Sequence, residues 1–264
     1  MMRSLAAILL LIGSAFGSGT AVQVALGGHA TGANNAACQA GITATGNYPV
    51  NTTIGNTLIL YIWGSSPTVS NLNGNMAYSV TTSGVTWTQA NGSWVGQLFD
   101  NVNHIVKQTS AYGVFNAASI SSGTTISVNA ITASNQISSC NVEFVLFEIS
   151  GLTSSAFVSG VLAGTLAGTT PSGSMTGTAG HTGFVIFGFS GEGSSALTAG
   201  TGYTLGPNAV TTVLGQIEYA SAQPTSVTAS FAGGANPGWV GTGLWFTDGV
   251  ISATSVARHQ GSVF

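Results

Sequence analysis

The stretch "GNTLILYIWG", Gly55 to Gly64, holds six consecutive apolar residues, Leu58 to Trp63, between two glycines. A close echo, "GHTGFVIFGF", follows at Gly180 to Phe189, an offset of 125 residues. Runs of this kind are membrane segments, aggregation hazards or buried strands. A bilayer-spanning helix needs roughly 20 apolar residues, and a lone strand in lipid would leave its backbone groups unpaired. The runs are apolar on both pleat faces, as is "NVEFVLFEIS" (Asn141–Ser150), which is the pattern of central strands covered on both sides.

Around these runs, Gly, Ser, Asn and Pro punctuate short β-rich segments, and helical periodicity is nearly absent. Strands are expected near Ala21–Leu26, Asn56–Trp63, Met76–Val80, Thr86–Gln89, Trp94–Phe99, Ile105–Phe115, Thr124–Ala130 and Asn141–Ile149. In the second half they are expected near Ala156–Leu162, Gly183–Phe189, Thr211–Tyr219, Ser226–Phe231 and Trp239–Phe246. "TTISVNA" and "SVTASF" alternate cleanly and read as half-solvated antiparallel strands. An order of apolar run, polar hairpins, alternating strand and second apolar run occurs twice. The reading is an all-β, two-sheet antiparallel sandwich with two pseudo-equivalent halves. One sandwich over residues 22–250 is preferred to two small ones in tandem, because each half alone has few strands. A possible internal boundary lies at 163–180, and 251–264 forms a C-terminal tail.

The two halves also resemble a jelly-roll module found in secreted bacterial proteins and in virion or appendage proteins. The resemblance rests on "VNTTIGNTLILYIWGSS", "VTTSGVTWTQA" and "SAYGVFNAASISSGTTISVNA" in the first half. In the second it rests on "TAGHTGFVIFGFSG", "LTAGTGYTLGP" and "GWVGTGLWF". It covers residues 22 to 247 and implies a jelly-roll-like sandwich and a structural or surface role. Thr82 and Val85 stand where the module's hairpin carries Asp and Asn, so no Ca²⁺ role is carried over.

Charged residues make up 3% of the 264, against roughly 25% in ordinary domains. Three cationic and six anionic side chains give a net charge of −3. Hydroxyl and amide groups must therefore supply the solubility, and colloidal repulsion is weak. Nucleic acid is excluded as a partner, since only Arg3, Lys107 and Arg258 could neutralise phosphate. The expected partners are copies of the chain itself, with glycans second.

Residues 1–21, "MMRSLAAILLLIGSAFGSGTA", have the order of a secretory signal: a cation, an apolar stretch of about 12 residues and small residues up to Ala21. They are read as a signal peptide, or as a retained N-terminal apolar segment. No membrane span is expected in the mature form, and the location is extracellular or at a cell or virion surface. Cys38 and Cys140, an even pair with no other thiol, fit one disulfide in an oxidising compartment; two buried free thiols are the alternative.

Catalytic candidates are few. Asp100, Glu143, Glu148, Glu192, Glu218 and Asp248 show no metal or paired-acid spacing, although Glu192 and Glu218 are free to meet in space. Glu143 and Glu148 have opposite parity and point to opposite faces. A G-x-S-x-G elbow is missing from the sequence, and His29, His104, His181 and His259 are scattered. Neither an enzyme, a metal nor a cofactor is expected. Trp63 and Trp245 read as core, whereas Trp94 and Trp239, beside turn residues, are candidate glycan-stacking rings. Asn51 and Asn91 head N-x-S/T sequons. Ala21, Val22, Gln23, Val24, Ala25 and Leu26 form a candidate strand-addition segment for a neighbouring copy.

Overall fold

The computed structural model describes residues 19–67, 76–89, 96–100, 105–132, 138–152, 159–165, 170–191, 197–207, 215–233 and 238–251. The first half begins with β1 (Thr20–Gly32), the short helix α1 (Asn35–Ala40), β2 (Ile42–Gly46) and β3 (Thr57–Pro67). It continues with β4 (Met76–Thr82), β5 (Thr88–Gln89), β6 (Gly96–Asp100), β7 (Ile105–Val114), β8 (Ile126–Thr132) and β9 (Cys140–Ser150). The second half opens with β10 (Ser159–Thr165), β11 (Ser172–Thr176), β12 (His181–Gly191), β13 (Leu197–Thr198) and β14 (Thr204–Leu205). Its last strands are β15 (Gly215–Gln223), β16 (Ser226–Ser230), β17 (Ala232–Gly233) and β18 (Trp239–Ile251).

All described pairings are antiparallel, and the all-β fold in two like halves expected from the sequence is what forms, although the single two-sheet sandwich preferred over residues 22–250 is instead one sandwich in each half. One main sheet has the order β1-β9-β3-β7-β5, with β6 also on β7; the other has β10-β18-β12-β15-β14. Position by position these are the same order, with β3 and β12 at the centres. The small sheet β2-β8-β4 covers the first main sheet, and β11-β16 with β13-β17 cover the second. Each half is thus a jelly-roll-like sandwich, and the two main sheets pack on each other. The chain passes from one half to the other between β9 and β10. The described residues of the 163–180 stretch belong to β10, β11 and the turn into β12.

The two-sided runs explain this layering. On β3, Ile59, Tyr61 and Trp63 face the second half, while Leu58, Leu60 and Ile62 face the small sheet of their own half. On β12, Phe184 and Ile186 face the first half, and Val185, Phe187 and Phe189 face outward under β11 and β16. All are fully buried. Three apolar layers result, one inside each half and one between them. Each fully buried large side chain contributes about 1.5–3 kcal/mol.

Contact between the halves depends on missing side chains. Tyr61 lies over Gly188, where a Cβ would come within 2.6 Å of the ring, and Trp63 lies over Gly215, where the figure is 2.5 Å. The Tyr61 hydroxyl reaches the carbonyls of Gly188 (2.7 Å) and Thr242 (2.9 Å) and accepts from the Thr242 N–H (3.2 Å). Ser190 Oγ donates to Gly64 O at 2.8 Å, and the hydroxyls of Thr109 and Thr242 meet at 2.6 Å. Phe147 of β9 meets Tyr219 of β15 edge to face, centroids 5.4 Å apart.

Cys38 and Cys140 form a disulfide, Cα–Cα 5.9 Å, that ties α1 to the start of β9. The sequence reading missed α1, capped by the Asn34 side chain on Ala37 N–H, and also β2, β11, β13, β14 and β17. Each is too short, with at most three inward residues, for periodicity to register.

Gly188→Val drives methyl groups into the Tyr61 ring, and Tyr61→Phe removes a hydroxyl that serves two strands of the opposite half. Overpacking costs roughly 1–3 kcal/mol, as does leaving a buried backbone group unsatisfied. Each variant is expected to lower Tm by about 2–4 °C per kcal/mol lost, measured by calorimetry with the disulfide intact.

Candidate functional site

The structure places the described charged groups inside. Lys107, Glu143, Glu148 and Glu218, the charged residues whose side chains are described, are all 0% exposed. Isolated buried charge is costly, so each should be held by donors or acceptors or shift its protonation. Glu148 is held: it accepts from Gln23 Nε2 (2.5 Å), Thr53 N (2.7 Å) and Asn56 Nδ2 (2.7 Å). It thereby fastens the segment between β2 and β3 to β1 and β9. Glu143 pairs in register with Trp63 and sits on the face toward the second half, whereas Glu148 pairs with Leu58 on the other face. The opposite parity read from the sequence is present. Lys107, in register with Ser65, shares Glu143's face.

Glu218 is in a different situation. It pairs with Phe187 and lies in the outer core of the second half. Gly200 N donates to its Oε2 at 2.7 Å, while Oε1 and the buried hydroxyl of Tyr203 have no hydrogen-bond partner among the described residues. Burial pushes the Glu218 carboxyl up to about 7, with the Gly200 N–H partly opposing it. Burial and the nearby Glu218 charge push the Tyr203 phenol up to about 12. Glu192, which the sequence leaves free to meet Glu218, lies outside the described residues, as does His104. His29, on β1 opposite Glu143, is held below the usual imidazole range by burial. Among the described residues no three His, Cys, Asp or Glu come together as a metal site, and no helix is long and apolar enough to cross a membrane.

Of the two candidate stacking rings, Trp239 is the one among the described residues. Trp239 is 4% exposed and packs in the outer core with Phe187, Phe231 and Trp245, which corrects its reading as a surface ring. Its turn-like neighbours "NPG" precede β18, and the pleat then turns the indole inward. Trp94 and Asn91 lie outside the described residues. Trp63 and Trp245 are fully buried, as expected. The segment Ala21–Leu26 is in register with Ile149–Val145 of its own chain, so it is already a sheet edge rather than a free strand for donation. Asn51 is exposed, and Ser122 N donates to its Oδ1 at 2.7 Å.

What the surface offers is hydroxyls. The outward face of β2-β8-β4 carries the rows Thr45–Ser127–Thr81 and Thr43–Asn129–Ser79, then Ile131 beside Ala77. The outward face of β11-β16 carries Ser172–Ser230, Ser174–Thr228 and Thr176–Ser226. Cross-strand bonds link them: Asn129 Nδ2 donates to Thr43 Oγ1 at 3.0 Å, and the Ser174 and Thr228 hydroxyls lie 2.7 Å apart. At the end of the first array, Thr45, Gly46, Asn47, Gly123 and Thr125 line an open cavity of about 230 Å³. Composition hinted at hydroxyl solubility; the two-faced arrays needed the register.

No known family, curated protein or solved structure matches this chain.

Because the folded carboxyl of Glu218 titrates near 7 and an unfolded one near 4.5, the fold holds this proton where the unfolded chain releases it. Its contribution to stability is complete below about pH 4.5 and is lost as pH rises through 7. Glu218→Gln is expected to raise Tm at pH 8 by a few degrees, roughly 1 kcal/mol or more. At pH 4 it should have little effect. Thermal melts across pH 4–8 check this, and equal shifts at both ends would contradict it.

Proposed function

We propose that this protein is an exported, non-enzymatic structural subunit that assembles with copies of itself into an extracellular filament, appendage, surface layer or virion exterior. The observation that carries this reading is the burial of every described charged side chain: Lys107, Glu143, Glu148 and Glu218. The described surface then has no formal charge with which to repel a second copy, and its outer faces are hydroxyl and amide arrays. The signal-like order of residues 1–21 and the Cys38–Cys140 disulfide support export. The interior of the chain is itself a stack of sheets, which favours a rigid building unit over a hinged catalyst.

A second reading, a carbohydrate-binding or adhesive module, draws on one observation: the uncharged cavity of Thr45, Asn47 and Thr125 beside the first hydroxyl array. Its polar lining suits neutral sugar hydroxyls. A glycan array is its test, and binding that survives Asn47→Ala together with Thr125→Ala would remove this cavity from consideration.

Assembly through uncharged faces has a distinctive signature. Sedimentation and electron microscopy at rising protein concentration are expected to find ordered multimers whose extent changes little between about 0.05 and 1 M NaCl, because the described surface carries no charge to screen. Monodisperse monomers at every concentration and salt would overturn the proposal.

A further inference from the structure

Asn51 lies in the segment that joins β2 to β3, and its surroundings single it out among the described residues. Thr52 is 3% exposed and bonded into the fold: its N–H donates to Ile120 O at 2.9 Å and its Oγ1 accepts from Ile120 N at 2.7 Å. The residues on either side, Asn51 and Thr53, are exposed. The two recognition residues of the sequon Asn51-Thr52-Thr53 are therefore outside while the residue between them anchors the loop. Thr53 N donates to the buried Glu148, which fixes the backbone further.

The amide itself has a defined direction. A backbone N–H can only donate, so the atom facing Ser122 N at 2.7 Å is the Asn51 oxygen. Nδ2, the atom that would carry a sugar, is the other branch of the same planar group and makes no hydrogen bond among the described residues. The neighbourhood also has the wrong surface for bare exposure to water. Val50 is 55% exposed and Ile54 is 77% exposed. Gln23 bonds both backbone groups of Val50, at 3.3 and 3.4 Å, which holds this segment against β1. Two large exposed apolar side chains, Val50 and Ile54, thus flank the acceptor amide in the same segment, on a protein with no charge on its described surface.

We infer that Asn51 is an N-glycosylation site whose sugar chain covers the neighbouring Val50 and Ile54 side chains. The inference rests on the export part of the proposed function, since the modifying machinery works outside the cytosol. The donor class is a lipid-pyrophosphate-linked oligosaccharide. Nδ2 attacks the anomeric carbon and a C–N bond forms. The anomeric C–O bond breaks, and the lipid pyrophosphate leaves with the bonding pair. One Nδ2 proton passes to a base on the transferase, and nothing is oxidised or reduced. A sugar here supplies the hydration that charged side chains supply elsewhere.

Mass spectrometry of peptides from the protein made by its own producing organism tests this. The Asn51 peptide is expected to be heavier by a whole number of sugar residues, and enzymatic release of the sugar should leave Asp at 51. Thr53→Ser should keep the modification, whereas Thr53→Ala and Asn51→Gln should abolish it. Thr53 is anchored through its backbone, so the fold should survive, which an intact Cys38–Cys140 disulfide would report. An unmodified Asn51 peptide from chains carrying that disulfide overturns the inference, because the disulfide marks chains that reached an oxidising compartment. Ordered multimers built from such unmodified chains would leave the assembly reading standing, and glycosylated chains that remain monomeric would do the reverse.

Discussion

Everything in this molecule depends on the packing of one main sheet on the other, with Tyr61 and Trp63 set into the gaps left at Gly188 and Gly215. Strands β3 and β12 are apolar on both faces, and neither half could satisfy both faces of its own central strand. The small sheet of each half covers one face; only the other half covers the second. Close approach then requires that the opposing sheet lack side chains where the large rings arrive. The Tyr61 hydroxyl makes the contact directional by bonding backbone groups of both β12 and β18, so the halves dock in one register rather than sliding over an oily surface.

The same geometry decides where charge goes. With sheet faces consumed by apolar contacts, the buried carboxylates depend on the donors that reach them, and these differ from one carboxylate to the next. Glu148, with three donors, acts as a fastening for the segment leading into β3. Glu218 has one donor to its Oε2 and an unpartnered oxygen beside Tyr203, and its carboxyl holds a proton to near neutrality as a result. Burial of these groups leaves outer sheet faces rich in Thr, Ser and Asn, ordered by strand register into hydroxyl rows. Such a surface is soluble through hydrogen bonding but has no long-range repulsion, which is the physical basis for reading it as a surface for association and for a sugar coat.

Much of the fold was legible because its strongest signal is local. The two-sided runs, the alternation in "TTISVNA" and the offset of 125 residues between Gly55 and Gly180 are properties of neighbouring residues, and the central strands, their shared order and the duplication follow from them. The disulfide was legible by counting thiols. Short pieces such as α1 and β11 were not, since a handful of residues with one to three inward positions carries no period. Trp239 was misread for a related reason: the residues before it are turn formers by type, while its own direction is set by the pleat of β18 and the aromatic ring packing around it.

The sequence by itself determined an all-β chain of two like halves, a scarcity of charge and an acceptor motif at Asn51, because composition, periodicity and short motifs are written in adjacent residues. The tertiary structure alone decided that the halves pack through their main sheets and that the described charges are all inside. It also decided that Asn51 turns its nitrogen away from Ser122. These depend on which strands lie opposite each other, and that pairing is settled by contacts between residues about a hundred or more positions apart, such as Tyr61 with Gly188 and Thr242.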